Sequence, residues 1–190
     1  MTPARRRAGR IAIAIGVLLI GLGPALSQLD YNFMPKGGKT LLLEILGSPA
    51  DADELRKIAV TRRSEKEWGD ALAERTKALT EQQQRTLAAY LAVNVPLPEA
   101  VLAQAEKQGN LATVLPRDGR ELAWEECQVC HSLFTSHLMQ DRDVQAWRNM
   151  FQSPFHRELK MSPREREEFS RYSSINMPMK IEDVPRELRF

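Results

Sequence analysis

Cysteine is scarce in this chain of 190 residues: there are two, and only three histidines. A structural zinc site wants four such ligands, commonly as two cysteine pairs, and no second pair exists. Also lacking is any run of alternating β-branched residues, the mark of a strand. The fold is therefore expected to be all-α, and a thioredoxin-type cysteine pair would have no strand to follow. No tract is compositionally biased; 43% of residues are hydrophobic and 27% charged, as in an ordinary globular protein. A basic body is missing as well. The formal charge of +2 depends on Arg5, Arg6, Arg7 and Arg10, and from Gln28 onward 23 Lys and Arg face 25 Asp and Glu, a net of −2. Without a basic stripe, a nucleic-acid partner is excluded.

What is present begins with a targeting segment over residues 1–27. Four arginines precede an apolar run from Ile11, and Ala25-Leu26-Ser27 offers small residues where a signal peptidase reads. The run reaches about 16 residues with Pro24 included, short of the roughly 20 of a spanning helix. A cleaved signal peptide is preferred, with an uncleaved anchor through residues 11–26 as the alternative; the arginines do not form a good twin-arginine signal. Either way the remainder is expected on the far side of a membrane, periplasmic or facing the periplasm.

Residues 28–40, with Pro35 and Gly37-Gly38, read as a linker. From Leu41 helical spacing dominates. Trp68, Ala71, Leu72 and Arg75 share one helical face. Thr80 caps a helix over 81–93 whose apolar face is Leu87, Tyr90 and Leu91, and Asn94, Pro96 and Pro98 end it. A further helix runs from about Pro98 to Lys107, and the turn at 115–119 sets the domain boundary. The division is then 41–116 and 117–190.

The two parts share a register. Arginine precedes tryptophan by five residues in Arg63/Trp68 and Arg142/Trp147. Cap to tyrosine (Thr80 to Tyr90, Ser162 to Tyr172) is ten residues, tyrosine to asparagine (Asn94, Asn176) four, and asparagine to proline (Pro96, Pro178) two. Four equal spacings in one order argue for an internal duplication. Tryptophan to cap is 12 in the first copy and 15 in the second, placing three additional residues before the last helix. The first copy has neither histidine nor cysteine, so it is expected to be a structural domain that covers one side of the second or docks to a partner.

The chemistry lies in Cys127-Gln128-Val129-Cys130-His131, the spacing for attaching a c-type haem. Residues three apart share a helical face, so both thiols can reach the two vinyl groups of one porphyrin, and the adjacent histidine comes under the iron. Haem c, one group held covalently, is the expected cofactor, with Cys127, Cys130 and His131 binding it.

On these residues the stretch from Gly119 to Tyr172 resembles a class I c-type cytochrome domain. Gly119 and the helix Arg120 to Glu126 precede the motif, a middle helix spans Asp143 to Phe151, and a last helix from Ser162 to Tyr172 crosses the first. The pattern Trp147, Met150, His156, Ser162, Tyr172 is particularly similar to the haem domains of quinohaemoprotein amine dehydrogenase large subunits. The resemblance implies a distal iron ligand from the loop before the last helix. His156 is preferred; Met177 or Met179, then Met161 or an open site, are the alternatives. Met150 is assigned to the core, and His137, six residues past the motif, to an exposed position without special role.

The expected function is electron transfer as an exported monohaem cytochrome, a subunit or docking partner of a periplasmic or membrane redox complex. Its partners would be a dehydrogenase, a quinol-oxidising complex or a terminal acceptor. A haem-based sensor or assembly factor, and a small peroxidase with an open distal site, are the alternatives, so enzymatic activity is left open. A six-coordinate iron favours electron transfer, and near-neutral charge argues against long-range steering to a freely diffusing partner.

Overall fold

A computed structural model describes residues 31–48 and 50–190; the targeting segment expected at 1–27 lies outside the described residues. Among those residues there is no strand, so the described part of the chain is all-α. No single helix among them is long and apolar enough to cross a membrane. The helices are α1 (Gly38–Leu46), α2 (Ala52–Val60), α3 (Glu65–Leu72), α4 (Glu81–Asn94), α5 (Glu99–Gln108), α6 (Gly119–Leu122), α7 (Val144–Met150), α8 (Pro154–Arg157) and α9 (Pro163–Asn176).

Local chemistry sets the two longest helices. Thr80 accepts a hydrogen bond from the Gln83 backbone N–H at 3.3 Å, and Gln83 Oε1 accepts from the Thr80 N–H at 3.0 Å. Ser162 and Glu165 make the same reciprocal pair at 3.3 and 2.8 Å, with Pro163 at the first helical position. Each pair satisfies two N–H groups that a helix start leaves open. Both helices then run 14 residues.

Two hydrophobic cores form on either side of residues 115–122. The first gathers Leu41, Leu42, Trp68, Leu87 and Leu91. The second gathers Leu122, Leu138, Trp147, Phe169 and Tyr172, together with Met34 from ahead of α1. Tyr31–Phe190 nevertheless folds as one unit, because α4 packs on α9.

Residues at matching places in the repeat make matching contacts. Arg63 lies over the Trp68 ring at 5.0 Å and Arg142 over Trp147 at 5.1 Å, which explains the five-residue spacing as a cation–π pair. Asn94 Nδ2 donates to Tyr90 O and to Glu168 Oε2, each at 3.0 Å. Asn176 Nδ2 donates to Tyr172 O at 2.9 Å and to Thr86 Oγ1 at 3.0 Å. Both Val95–Pro96 and Met177–Pro178 are cis. The tyrosines reach across: Tyr90 OH donates to Pro116 O at 2.9 Å and Tyr172 OH to Pro35 O at 2.7 Å.

Glycine has a packing role in both copies. A Cβ on Gly38 would fall 2.1 Å from Tyr90 Cβ, and one on Gly119 would fall 2.0 Å from Tyr172 Cβ. Gly38, read as linker in the sequence, therefore opens α1 where the helix crosses α4. Close approach of two backbones, not freedom of the chain, selects it.

Candidate functional site

The segment leading to the cysteines is anchored at both ends. Asp118 caps α6 by accepting from the N–H groups of Arg120 and Glu121, both at 3.1 Å. Arg117 ties it to α9: Nε and Nη2 donate to Glu165 Oε1 at 3.0 and 2.7 Å, while Nη1 reaches Glu125 and Glu126 at 2.7 and 2.9 Å. Beyond α6 the helix widens to a π-helical turn over Ala123–Cys127. Such turns rotate the following side chains relative to a continuous α-helix and are frequent at functional sites.

Cys127 closes that turn and is half-buried; Cys130 and His131 follow in an exposed turn. Both thiols are free. Burial, assisted by the Glu126 carboxylate, pushes the Cys127 thiol up to about 12. A catalytic redox pair needs the opposite, a thiol pulled down by positive surroundings.

One pocket brings together Cys127, Cys130, His131, His137, Met150 and His156, with Trp147 and Phe169 in its wall. The enclosed space is about 80 Å³. The rings of His131 and His156 stand edge-on to one another, with centroids 6.0 Å apart and planes at 76°. His156 arrives on α8, the short helix started by Ser153 and Pro154. Thus all four residues expected at the site converge, although 25 residues separate His131 from His156 in the chain.

The methionines divide. Met161 and Met177 are buried in the second core and Met179 packs against it. None of the three lines the pocket, whereas Met150, on α7, does.

His137 departs from the sequence expectation. It is 1% exposed, not exposed. The reason is the π-helical turn Phe134–Leu138, which directs the ring inward between Trp147 and Phe169, each 5.2 Å away. Its Nε2 pairs with Ser173 Oγ at 2.8 Å, and Nδ1 is buried without a hydrogen-bond partner. Burial, reinforced by Arg142, lowers its basicity to about 3, so the ring is neutral.

Sequence reasoning also passed over Ser153. Its Oγ lies 3.0 Å from His156 Nδ1 and accepts from the His156 backbone N–H at 3.4 Å. The signal was available: Ser-Pro-x-His has capping-box spacing, with histidine in the place usually held by glutamate.

Among the described residues no three His, Cys, Asp or Glu side chains are grouped to hold a metal ion by themselves. What the site offers is two thiols, two neighbouring imidazoles and an apolar wall. Comparison of the chain with protein-family models, curated proteins and solved structures found no match to any of them.

Proposed function

We propose that this chain is an exported monohaem c-type cytochrome that transfers single electrons, with haem c bonded to Cys127 and Cys130 and His131 and His156 as iron ligands. The observation that carries the reading is the meeting of the Cys-x-x-Cys-His turn with His156 across one apolar pocket. Cys127 and Cys130 would hold the group, and His131 and His156, whose ring centroids lie 6.0 Å apart, would supply nitrogen donors to its iron. Haem, when bound, supplies a one-electron ferric/ferrous couple.

The protein's own part is positioning and exclusion. Cys127 and Cys130 fix the attachment point, and Trp147 and Phe169 exclude water from the inner wall. The neutral His137 adds no charge there. An enclosed space of about 80 Å³ is small beside an ordinary ligand pocket of about 300–1,000 Å³, which leaves part of any bound ring on the solvent side. Phe155 lines that pocket and is 89% exposed, and Val129, between the two cysteines, is 75% exposed; both give a redox partner an apolar surface to approach.

The helix arrangement supports the cytochrome reading as well: α6, which leads to the motif, crosses α9 where Gly119 meets Tyr172. The 41–116 copy, without cysteine or histidine, is a haem-free counterpart braced against the haem-binding half. A near-neutral body favours a subunit or docked partner in a periplasm-facing redox complex over a free shuttle.

The test is to produce the full chain with a working haem-ligation system, denature it and extract with acidified organic solvent. Pigment should stay with the polypeptide, and the ferric spectrum should be low-spin. Release of the pigment would refute covalent attachment. Replacing His156 by Ala should convert the spectrum to high-spin, while Met150→Ala should not. Rapid carbon monoxide binding to the reduced wild type would instead favour an open distal site.

A further inference from the structure

His156 is held by a side chain that the sequence motif does not include. In the turn before α8, Ser153 makes two contacts with the same residue: its Oγ accepts from the His156 backbone N–H at 3.4 Å and lies 3.0 Å from Nδ1. The imidazole is therefore fixed at its Nδ1 edge, and the ring stands 6.0 Å from that of His131. A neutral imidazole carries one N–H, so its direction decides which nitrogen can bind a metal. If Nδ1–H donates to Ser153 Oγ, the lone pair is on Nε2, the atom free to ligate. If the serine hydroxyl donated to Nδ1, Nε2 would carry the hydrogen and could not bind iron. Ligation and the serine contact are compatible in one direction only.

We propose that Ser153 is the positioning residue for the distal ligand, accepting a hydrogen bond from His156 Nδ1 and so presenting Nε2 to the iron. This deepens the reading above and rests on His156 being a ligand. An acceptor on the remote nitrogen makes an imidazole a stronger donor and fixes its rotation, and loss of such a partner weakens metal affinity by about 10–100-fold. A stronger imidazole donor favours ferric over ferrous iron, so the serine should lower the reduction potential. Its hydroxyl has a second role as cap of α8, and the test must separate the two.

The experiment uses the full chain carrying its haem, in four variants: Ser153→Ala, Ser153→Gly, Ser153→Thr and His156→Ala. Glycine is tolerated at a helix cap at a cost of only a few tenths of a kcal/mol yet has no hydroxyl; threonine keeps both the cap and the hydroxyl. Removing the hydroxyl should weaken the ferric preference about tenfold, a rise of about 59 mV for a one-electron couple. Ser153→Ala and Ser153→Gly should both show that rise and speed carbon monoxide replacement of the distal ligand. Ser153→Thr should restore the wild-type values. If glycine behaves as threonine does, the serine is only a cap and the proposal fails. If His156→Ala becomes high-spin but alanine and glycine at 153 leave the potential unchanged, the ligand stands and the positioning role falls. If His156→Ala leaves the low-spin spectrum intact, the ligand assignment itself falls and the proposal with it.

Discussion

The crossing of α6 and α9 at Gly119 can be probed by a single methyl group. Alanine at Gly119 would place a methyl 2.0 Å from Tyr172 Cβ, 2.4 Å from Cγ and 2.9 Å from Cδ1. Carbon atoms rest at about 3.5–4.0 Å, so a separation of roughly 1.5 Å must be created. The obstructing atom is a Cβ, tied directly to the α9 backbone, so no side-chain rotation relieves it; α6 and α9 must part. Overpacking of this kind costs about 1–3 kcal/mol. Parting the helices also draws Tyr172 OH from Pro35 O, now 2.7 Å away, for about another 1 kcal/mol. A total of about 2–4 kcal/mol corresponds to a fall in Tm of roughly 4–16 °C for a domain of this size. Gly69 is the control, since a Cβ there meets nothing within 4 Å. On α3 alanine should stabilise by up to about 1 kcal/mol through helix propensity alone. Thermal melts followed by far-ultraviolet circular dichroism should therefore move in opposite directions for the same chemical change. A Gly119→Ala protein melting at or above the wild-type temperature would refute the crossing of α6 and α9 described here.

Further outcomes follow from the buried groups and caps. Glu168 is raised from 4.5 to about 8 by burial and then Asp118, against hydrogen bonds from Gly119 and Asn94 and the charge of Arg171; the folded state keeps a proton the unfolded chain has lost, so stability falls as pH rises from 4.5 to 8. His137 is lowered from 6.5 to about 3, so the folded state refuses a proton and stability falls as pH drops through that range. The two slopes cancel between 4.5 and 6.5, giving a plateau; urea unfolding across pH should show it, with Glu168→Gln removing the alkaline fall, on the order of a few kcal/mol. Losing either cap hydroxyl, by Thr80→Ala or Ser162→Ala, should cost about 1 kcal/mol in the same assay; no change would mean that the caps are not formed. Cys130→Ala should leave one thioether to haem, visible as a red-shifted reduced pyridine haemochrome spectrum, and an unaltered spectrum would remove Cys130 from the attachment.

Local chemistry made much of this legible in the sequence. Helices α4 and α9 follow from a cap, a partner three residues on and a proline stop, all within one segment. The repeat was visible because its spacings are fixed by contacts, as with arginine over tryptophan. What was hidden depends on approach between distant segments. Gly37-Gly38 looks the same in a linker as in a helix crossing, and only the presence of Tyr90 tells them apart. His137, a lone histidine six residues past the motif, reads as exposed because nothing near it in the sequence marks it, whereas the chain there is π-helical and turns the ring inward. At the candidate site, Cys127, Cys130 and His131 stand in one motif, so their nearness could be read directly. His156 needed the loop resemblance, and its meeting with His131 is set by how α8 folds back, which no spacing encodes.

The crossed tyrosines have a consequence for how the chain comes apart. The fastenings sit at the boundaries of the two halves: Tyr90 is latched to Pro116, the last residue before the second half, and Tyr172 to Pro35, ahead of the first. Loosening either end unlatches the other, so two hydrophobic interiors should melt as one. Ordering imposed where the cysteines sit is thereby felt in the half that carries neither cysteine nor histidine.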